Sequence, residues 1–398
     1  MDTAREAELA RPDRIIQVLL LGVLCALPPL SIDMPLPAMA AIAADFDGDV
    51  GKAGLTLSVF MIGFGIMPLV YGFLSDRVGR KGPLLVGVGL FALGGAACAL
   101  ASTIDGLLVA RLLQGAGAAA GPTLAYAAAR DLLAGQALQK RLAVLTIILS
   151  VAPVVAPSLG VVALAWDGWR GVYWVLAASG AALFLALLLG FEETWTRRAS
   201  GEQARAKGAY GGRTLTYGAV RGLSSGALFG YVAGSPFLLI QYFDLSYRVY
   251  GWLFGFTALG IVIGAGVSSG LARSGAYRAI VQNGVLLALL GAAIAGAALM
   301  LEVGGLPLAM AGFWLSTFGY GLLMPAASQM ALSQADAAAG AVSAGLNTFQ
   351  MACMTAASAA VAIGLGMLGP VAIIGVMVLF GLGACLILPL LDEAEEGA

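Results

Sequence analysis

Two ionisable side chains in this sequence, Asp33 and Arg111, lie well inside long apolar stretches. Asp33 belongs to SIDMPLP, residues 31–37, at the end of an apolar run that begins at residue 15. Arg111 lies within the apolar stretch 104–128. A charge at membrane depth is costly, and it is normally retained because it binds a proton, an ion or a substrate. These two residues are therefore the first candidates for a functional site.

The composition is that of an integral membrane protein. Of the 398 residues, 60% are apolar and 11% are charged, whereas soluble domains average about 25% charged residues. The chain has no histidine, which excludes haem ligation, metal sites and acid–base chemistry that depend on this residue. The four cysteines lack a C-x-x-C spacing and are expected to be small buried hydrophobic residues. We expect no metal, no cofactor and no nucleic-acid partner.

Twelve apolar segments are long enough to cross a bilayer core, which takes about 20 helical residues. The first six are 15–38, 51–74, 82–101, 104–128, 142–165 and 170–191. The second six are 217–241, 249–272, 279–301, 305–330, 338–362 and 368–391. The polar segment 192–216 between them reads as a flexible linker. The sequence thus predicts two six-helix bundles, 1–191 and 217–398, joined by this linker.

The basic residues support this topology. Cytoplasmic loops carry an excess of Lys and Arg. With both termini inside, 17 of the 21 basic residues lie at the inner face, three lie at the outer face and only Arg111 lies well inside a span. The N-terminal 14 residues precede a run too long for a cleaved signal, so we expect them to be retained. Short matches between the halves, such as DRVG at 76–79 and ARSG at 272–275, suggest a duplicated six-helix unit.

The loop after the second span carries a recognisable motif. Residues 72–81, GFLSDRVGRK, resemble the G-x-L-a-D-r-x-G-r-k/r loop of the major facilitator superfamily, with Ser75 in place of the alanine. The resemblance implies an all-α integral membrane fold of twelve transmembrane helices in two pseudo-symmetric six-helix bundles. It also implies a conformational-switch role for Gly72, Asp76, Arg77, Gly79, Arg80 and Lys81. Physically, Gly72 is expected to permit close helix approach, and Gly79 a tight turn.

Two further motifs narrow the resemblance. Residues 111–117, RLLQGAG, are similar to the R-x-x-Q-G-x-G motif of proton-coupled members, which implies a coupling role for Arg111 and Gln114. Residues 152–160, APVVAPSLG, are similar to the antiporter motif of drug exporters. Its matching positions are Pro153, Pro157 and Gly160. Ala156 and Val161 depart from the commoner G-P-x-x-G-G form.

Together with SIDMPLP, these motifs resemble the bicyclomycin/chloramphenicol (Bcr/CflA) group of drug:proton antiporters. That resemblance implies a monomeric multi-pass protein of the bacterial inner membrane with both termini in the cytoplasm. It further implies proton-coupled multidrug efflux, and hence antibiotic resistance. The compounds exported would be small and amphipathic, phenicol- or bicyclomycin-like, and the transport cycle would be one of alternating access.

Helix geometry suggests that Asp33 and Arg111 meet. Both fall in the outer half of their spans, within reach of one another, and the prolines around Asp33 are expected to open the helix where it lines a cavity. A static pair that neutralises two buried charges is one interpretation. The other is that Asp33 binds a proton or the substrate in alternation, because burial and a nearby arginine shift a carboxyl pKa in opposite directions.

Uncharged groups are expected to contribute specificity from the second half, since it shows no counterpart of Asp33 or Arg111. The polar candidates are interhelical hydrogen-bond partners or ligand contacts, namely Tyr231, Gln241, Gln329, Asn347 and Gln350. Phe237 and Met324 offer an adaptable apolar wall.

Three alternatives to drug export remain open. One is a transporter of a physiological metabolite. A second is a membrane enzyme or redox subunit, which the absence of histidine and of a cysteine cluster disfavours. The third is a receptor or scaffold that does not transport, which the intact loop motif disfavours.

Overall fold

The computed structural model describes residues 12–46, 49–132, 135–194, 211–301, 304–333 and 339–391. Within these ranges the chain is helical apart from short connections, and no strand is formed. This confirms the predicted all-α class. Most of the predicted linker, the N-terminal tail and the acidic C-terminal tail lie outside the described residues, so the proposed domain boundaries stay a prediction.

The first half contains seven helices and one 3₁₀ turn. The helices are α1 (Pro12–Asp33), α2 (Met39–Asp45), α3 (Val50–Val78), α4 (Lys81–Ala99), α5 (Ile104–Ala118), α6 (Ala120–Leu132) and α7 (Gly135–Gly190), and the 3₁₀ turn is Leu36–Ala38. The described part of the second half contains six helices, a π-helical segment and the 3₁₀ turn Ala272–Ser274. The helices are α8 (Gly212–Pro236), α9 (Tyr247–Leu271), α10 (Tyr277–Met300), α11 (Gly305–Leu332), α12 (Ala339–Leu368) and α13 (Val371–Ile387), and the π segment is Phe237–Tyr242.

Nine helical stretches among the described residues are long and apolar enough to cross a membrane. One of them, Val151–Gly190, is part of α7, which has non-helical backbone at Asp167 and Gly168 and carries the fifth and sixth predicted spans. The fourth predicted span is divided into α5 and α6, of 15 and 13 residues. The last predicted span, α13, is 17 residues long. The structure is thus that of a multi-pass protein, and the count of twelve crossings stays a prediction.

The two halves repeat one packing arrangement built on glycine. A Cβ at Gly115 of α5 would overlap the backbone of Phe60 in α3, and a Cβ at Gly321 of α11 would overlap that of Ile261 in α9. The fourth predicted span of each half therefore lies backbone to backbone against the second. Close approach of this kind is typical of membrane helices, where small residues let backbones touch.

The halves contact each other near one surface of the molecule. We call the surface at the start of α1 the tail side and the opposite surface the far side. Gly51, at the far-side start of α3, faces Ala362 near the end of α12. About two turns deeper along α3, the hydroxyls of Ser58 and Ser358 are 2.9 Å apart. Toward the tail side, a Cβ at Gly72 of α3 would meet nothing within 4 Å.

The helices α7 and α9, one from each half, also lie close together toward the far side. At Gly255 of α9, a Cβ would lie 3.4 Å from the carbonyl oxygen of Val154 in α7. At Gly266 and Gly270, closer to the tail side of α9, a Cβ would meet nothing within 4 Å. The described contacts between the halves thus lie toward the far side, and the tail-side ends of α3 and α9 are open at these glycines.

Candidate functional site

The site begins where α1 ends. Asp33 is the last residue of this helix, since Pro35 and Pro37 have no N–H to continue the helical ladder. Asp33 is only 4% exposed, and it lines a cavity of about 190 Å³. The prolines thus interrupt the outer part of the first predicted span at the carboxylate, as the sequence predicted.

Both halves of the molecule build this cavity. The first half contributes Asp33 and Pro153, a residue of the antiporter motif, and the second contributes Tyr231, Phe254 and Thr257 among others. The Tyr231 hydroxyl is 3.0 Å from the Thr257 hydroxyl, so these two polar groups satisfy each other. The cavity is therefore an apolar, aromatic pocket with a single carboxylate in its wall.

Arg111 is fully buried within the first half. Its Nε donates to the carbonyl of Thr56 at 3.3 Å, its Nη1 to Oε1 of Gln114 at 2.7 Å and its Nη2 to the carbonyl of Ser31 at 3.1 Å. The guanidinium carbon lies 4.4 Å from the centre of the Phe60 ring. One side chain thereby joins α1, α3 and α5, and its charge is stabilised by carbonyl dipoles and a ring face.

The expected Asp33–Arg111 pair is not formed. Among the described residues no salt bridge joins them, although Arg111 does reach α1 as the depth comparison predicted. The carbonyl that it binds belongs to Ser31, and residues two apart on a helix point to different sides. Arg111 approaches α1 from within the first half, whereas Asp33 faces the cavity between the halves. The two residues are neighbours along α1 but not partners.

Gln114 acts as a partner of Arg111. Its Oε1 accepts the hydrogen bond from Arg111 and lies 3.8 Å from the Cys98 sulfur, whereas its Nε2 is buried with no hydrogen-bond partner in the described structure. It thus occupies the position expected for it, one turn from Arg111.

The antiporter motif packs against the chain segment that follows Asp33, where α1 ends. A Cβ at Gly160 would overlap the carbonyl oxygen of Met34, the residue that follows Asp33. Pro153 lines the cavity, and Pro157 is buried in α7 between these two contacts. The motif glycine therefore lets α7 lie directly against the backbone that carries the carboxylate.

The loop motif forms a network around Arg80. Its guanidinium donates to Asp76 at 2.6 Å and Asp131 at 2.8 Å, and also to the hydroxyl of Ser75 at 2.8 Å. Burial lowers the pKa of Arg80, but the hydrogen bonds to Asp131 and Asp76 outweigh it, so the pKa lies above its usual value. Asp131 belongs to the end of α6, so Arg80 fastens the loop to a distant helix. The sequence did not indicate this partner.

A second carboxylate holds the same loop through its backbone. Glu193, just after α7, accepts from the backbone N–H of Arg80 at 2.8 Å and of Lys81 at 3.1 Å. These are free N–H groups at the start of α4, where a negative charge is favourable. Gly79 has φ 94°, as expected for a tight turn.

The remaining loop residues differ in their roles. Arg77 lies over the ring of Phe73, 3.7 Å from its centre. The expected close helix approach at Gly72 is wrong, since a Cβ there would meet nothing within 4 Å.

The residues proposed as substrate contacts are spread over several places. Of these, Tyr231 alone lines the Asp33 cavity. Phe237 lines a separate groove at the far side, and Met324 packs against the hydrophobic cluster of the second half. Gln241 is exposed, and Gln329 is exposed and donates to the Tyr277 hydroxyl at 3.0 Å. These four residues do not line the cavity.

Asn347 and Gln350 lead to a residue that the sequence analysis placed wrongly. Both side-chain oxygens accept from Nη2 of Arg221 at 2.6 Å. The predicted span 217–241 places Arg221 near its inner end, among the 17 basic residues of the inner face, but α8 starts at Gly212, so Arg221 is its tenth residue. The second half therefore does contain a cation well inside a helix, contrary to the expectation that only uncharged groups contribute there.

The fold, the loop network and the cavity between two similar halves agree with a sequence comparison. The profile of the Major Facilitator Superfamily matches residues 20–357. The chain belongs to the major facilitator superfamily. Membership confirms the class indicated by the loop motif, and it argues against the membrane-enzyme alternative.

Two bacterial proteins of known sequence are similar to this chain. The MFS-type transporter YdgK of Bacillus subtilis (strain 168) is 35% identical over 266 residues, 64% of this chain and 65% of YdgK. The multidrug resistance protein MdtM of Escherichia coli (strain K12) is 26% identical over 334 residues, 80% of this chain and 79% of MdtM. The match thus spans slightly less than two thirds of YdgK.

Solved structures support the superfamily fold at low sequence identity. A bacterial homologue of the human lysosomal transporter Spinster, in an inward-facing and occupied conformation, superposes with a TM-score of 0.78 at 16% identity, covering 97% of this chain and 98% of that one. The xylose transporter XylE of E. coli, in a partially occluded inward-open conformation, gives 0.72 at 14% identity, covering 94% and 96%. These similarities establish the fold alone.

Proposed function

We propose that this protein is a proton-coupled antiporter that exports small amphipathic compounds, of phenicol or bicyclomycin type, across the bacterial inner membrane. It acts as a monomer with both termini in the cytoplasm. Relatives such as MdtM support drug transport, and the resemblance to the Bcr/CflA group supports proton coupling. The observation that carries the proposal is a buried carboxylate in the wall of an apolar cavity that both halves line.

The geometry of Asp33 suits exchange between two occupants. A carboxylate in an apolar pocket is costly when charged, and the cost falls when it binds a proton or a cationic or hydrogen-bonding substrate. The Asp33 side chain has no salt-bridge partner among the described residues, so it is available to either occupant. One acid at the cavity corresponds to exchange of one proton per substrate.

The contacts between the halves supply a route for alternating access. The halves meet toward the far side, at pairs such as Ser58 and Ser358, and are open at Gly72 and Gly270 toward the tail side. With the termini in the cytoplasm, these contacts are consistent with a conformation open to the inside. Rocking of the two bundles about the cavity would close the tail side and open the far side. The Arg80 network would hold the loop in one of the two conformations, which is the switch role that the motif implies.

The proposal is tested with inverted membrane vesicles from an efflux-deficient strain. A pH gradient is established, and its dissipation is measured on addition of phenicols, bicyclomycin and a panel of metabolites. We expect amphipathic drugs to dissipate the gradient with the wild-type protein and not with Asp33→Asn. Asp105→Asn is the matched control, since Asp105 is an exposed acid at the start of α5.

Two results would contradict the proposal. Drug/proton exchange at the wild-type rate by Asp33→Asn would remove Asp33 from the mechanism. Gradient dissipation by metabolites alone would favour a metabolite transporter.

A further inference from the structure

The polar cluster around Arg221 lies apart from the Asp33 cavity and has no role in the proton exchange described above. Arg221 of α8 donates from Nη2 to Asn347 and Gln350 of α12. Gln350 donates in turn to the hydroxyl of Ser225 at 3.0 Å, and this hydroxyl is 3.3 Å from that of Tyr320 in α11. Three helices of the second half thus converge on one guanidinium.

The charge of this guanidinium is not balanced. Among the described residues no carboxylate forms a salt bridge with Arg221, and the groups that bind it are neutral amide oxygens. Its Nε is buried without any hydrogen-bond acceptor in the described structure. The amide oxygens of Asn347 and Gln350 would accept a hydrogen bond from an uncharged donor equally well. Arg111 also lacks a counter-charge, but its Nε, Nη1 and Nη2 each have an acceptor, whereas the Nε of Arg221 has none. A cation within a membrane helix that lacks both a counter-charge and this acceptor is a candidate to bind an anionic ligand.

The cluster faces the space between the halves. Asn347 is exposed, and it lies one helical turn from Met351, whose Cβ would be 3.1 Å from a Cβ at Gly65 in the first half. Residues four apart share a helix face. Asn347 therefore points toward the first half at the level where the two halves begin to separate, on the tail side of the contact at Met351.

One face of α8 carries both the cluster and a residue of the Asp33 cavity. Arg221, Ser225 and Leu228 recur at intervals of four and three residues and so form one stripe on the helix. Leu228 lines the Asp33 cavity. Seven residues separate Arg221 from Leu228, which corresponds to about 10 Å along the helix axis. A ligand of moderate size is long enough to span this distance.

We propose that Arg221, with Asn347 and Gln350, is a binding subsite for an anionic group of the substrate, a carboxylate, sulfonate or phosphate. The inference deepens the proposed export function and rests on it. Nη2 already donates to Asn347 and Gln350, so the unpaired Nε–H is the directed donor left for one oxygen of such an anion, and lysine does not provide such a fixed set of donors. The apolar cavity takes the hydrophobic body of the same molecule. Amphipathic anions are then preferred over their neutral analogues.

Two fluorescent probes that differ by one sulfonate test this subsite. They are 1-anilinonaphthalene-8-sulfonate and its neutral parent N-phenyl-1-naphthylamine. The Kd of each is measured for the purified full-length protein in lipid nanodiscs, with the signal of empty nanodiscs subtracted. The proteins compared are wild type, Arg221→Gln, Arg221→Lys and the control Arg213→Gln. Arg213 is a cation at the second position of the same helix, and its Nη2 contacts the Met330 sulfur at 3.6 Å.

We expect Arg221→Gln to raise the Kd of the sulfonate probe at least about tenfold, which corresponds to ~1.4 kcal/mol, and that of the neutral parent less than about twofold. Arg221→Lys should fall between wild type and Arg221→Gln, and Arg213→Gln should match wild type. The melting temperature of each variant is recorded in parallel.

Three outcomes would overturn the subsite. They are an equal rise in Kd for both probes, an unchanged Kd for the sulfonate in Arg221→Gln, and wild-type protein that binds the sulfonate no better than empty nanodiscs. The first would show that Arg221 merely holds α8 against α12. None of them bears on proton-linked export of neutral drugs, which the Asp33→Asn assay measures separately. Conversely, if the wild-type protein shows no drug/proton exchange in that assay, the two Kd values still test the subsite.

Discussion

Nη2 of Arg111 donates a 3.1 Å hydrogen bond to the backbone carbonyl of Ser31. In a continuous helix this carbonyl would accept from the N–H of residue 35, but residue 35 is a proline and has none. Arg111 therefore satisfies the acceptor that the proline leaves free, two residues before Asp33. The guanidinium stabilises the interrupted end of α1 and so positions the carboxylate without pairing with it.

Arg111→Lys is expected to lower both stability and proton exchange. A single ammonium cannot reach the three acceptors of the guanidinium, and each buried acceptor left unsatisfied costs about 1–3 kcal/mol. Thermal unfolding of purified protein and gradient dissipation in vesicles measure the two effects. In a Pro35→Ala background, an N–H at position 35 is available to the Ser31 carbonyl, so Arg111→Lys should cost less stability there. Equal costs in the two backgrounds would refute this link.

Arg80→Gln is expected to reduce transport and to lower the melting temperature more than Arg77→Gln does. Arg80 is the residue that joins Asp76 to Asp131, whereas Arg77 lies on the face of the Phe73 ring. Exposed ion pairs contribute about 0–1 kcal/mol, and a network around a largely buried Arg contributes more. The measurement is a double-mutant cycle with Asp131→Asn. Strict additivity of the two single-variant effects would show that the contact has no energetic role.

The loop motif shows how far the sequence predicts this site. It indicated Asp76 and Arg80 as residues of the switch loop, and these two, only four apart in sequence, form an ion pair at 2.6 Å across the turn at Gly79. Its other partners, Asp131 and Glu193, follow Arg80 by 51 and 113 residues. Their proximity depends on how α6 and the end of α7 pack against α4. No local pattern encodes that packing, so one sequence did not show it.

Arg111 and Arg221 also show how far the sequence predicts the position of a side chain. The depth of Arg111 was predictable from the rise per residue, but its direction was not, since a shift of two residues on α1 reverses the face. For Arg221 the error lay in a helix boundary. The predicted span began five residues late because RTLTY, residues 213–217, is polar in part. Boundaries of this kind depend on packing as well as on hydropathy.

Gly160→Ala is expected to destabilise the protein and to impair proton exchange. The added methyl would overlap the carbonyl oxygen of Met34, so α7 would have to move away from the chain segment that follows Asp33. Overpacking of this kind typically costs about 1–3 kcal/mol. The matched control is Gly270→Ala, where a Cβ meets nothing within 4 Å. Thermal unfolding should separate the two variants, and an equal melting temperature for both would contradict the close contact.

A disulfide between positions 58 and 358 is expected to lock the halves together. The hydroxyls of Ser58 and Ser358 are 2.9 Å apart, each residue is almost fully buried, and the pair joins α3 to α12 across the seam. Ser58→Cys/Ser358→Cys is made in a background without the four native cysteines and oxidised in vesicles. Because alternating access must separate the halves at this level, the oxidised protein should lose exchange and regain it on reduction.

The single Ser58→Cys variant controls for the chemical treatment, and it should keep its exchange activity under oxidising conditions. The locked double variant should also remain accessible from the tail side, where Gly72 and Gly270 meet open space. A cysteine introduced at position 270 should therefore react with a water-soluble maleimide both before and after the lock forms. Full exchange activity with the disulfide in place would mean that the seam at Ser58 does not open during transport.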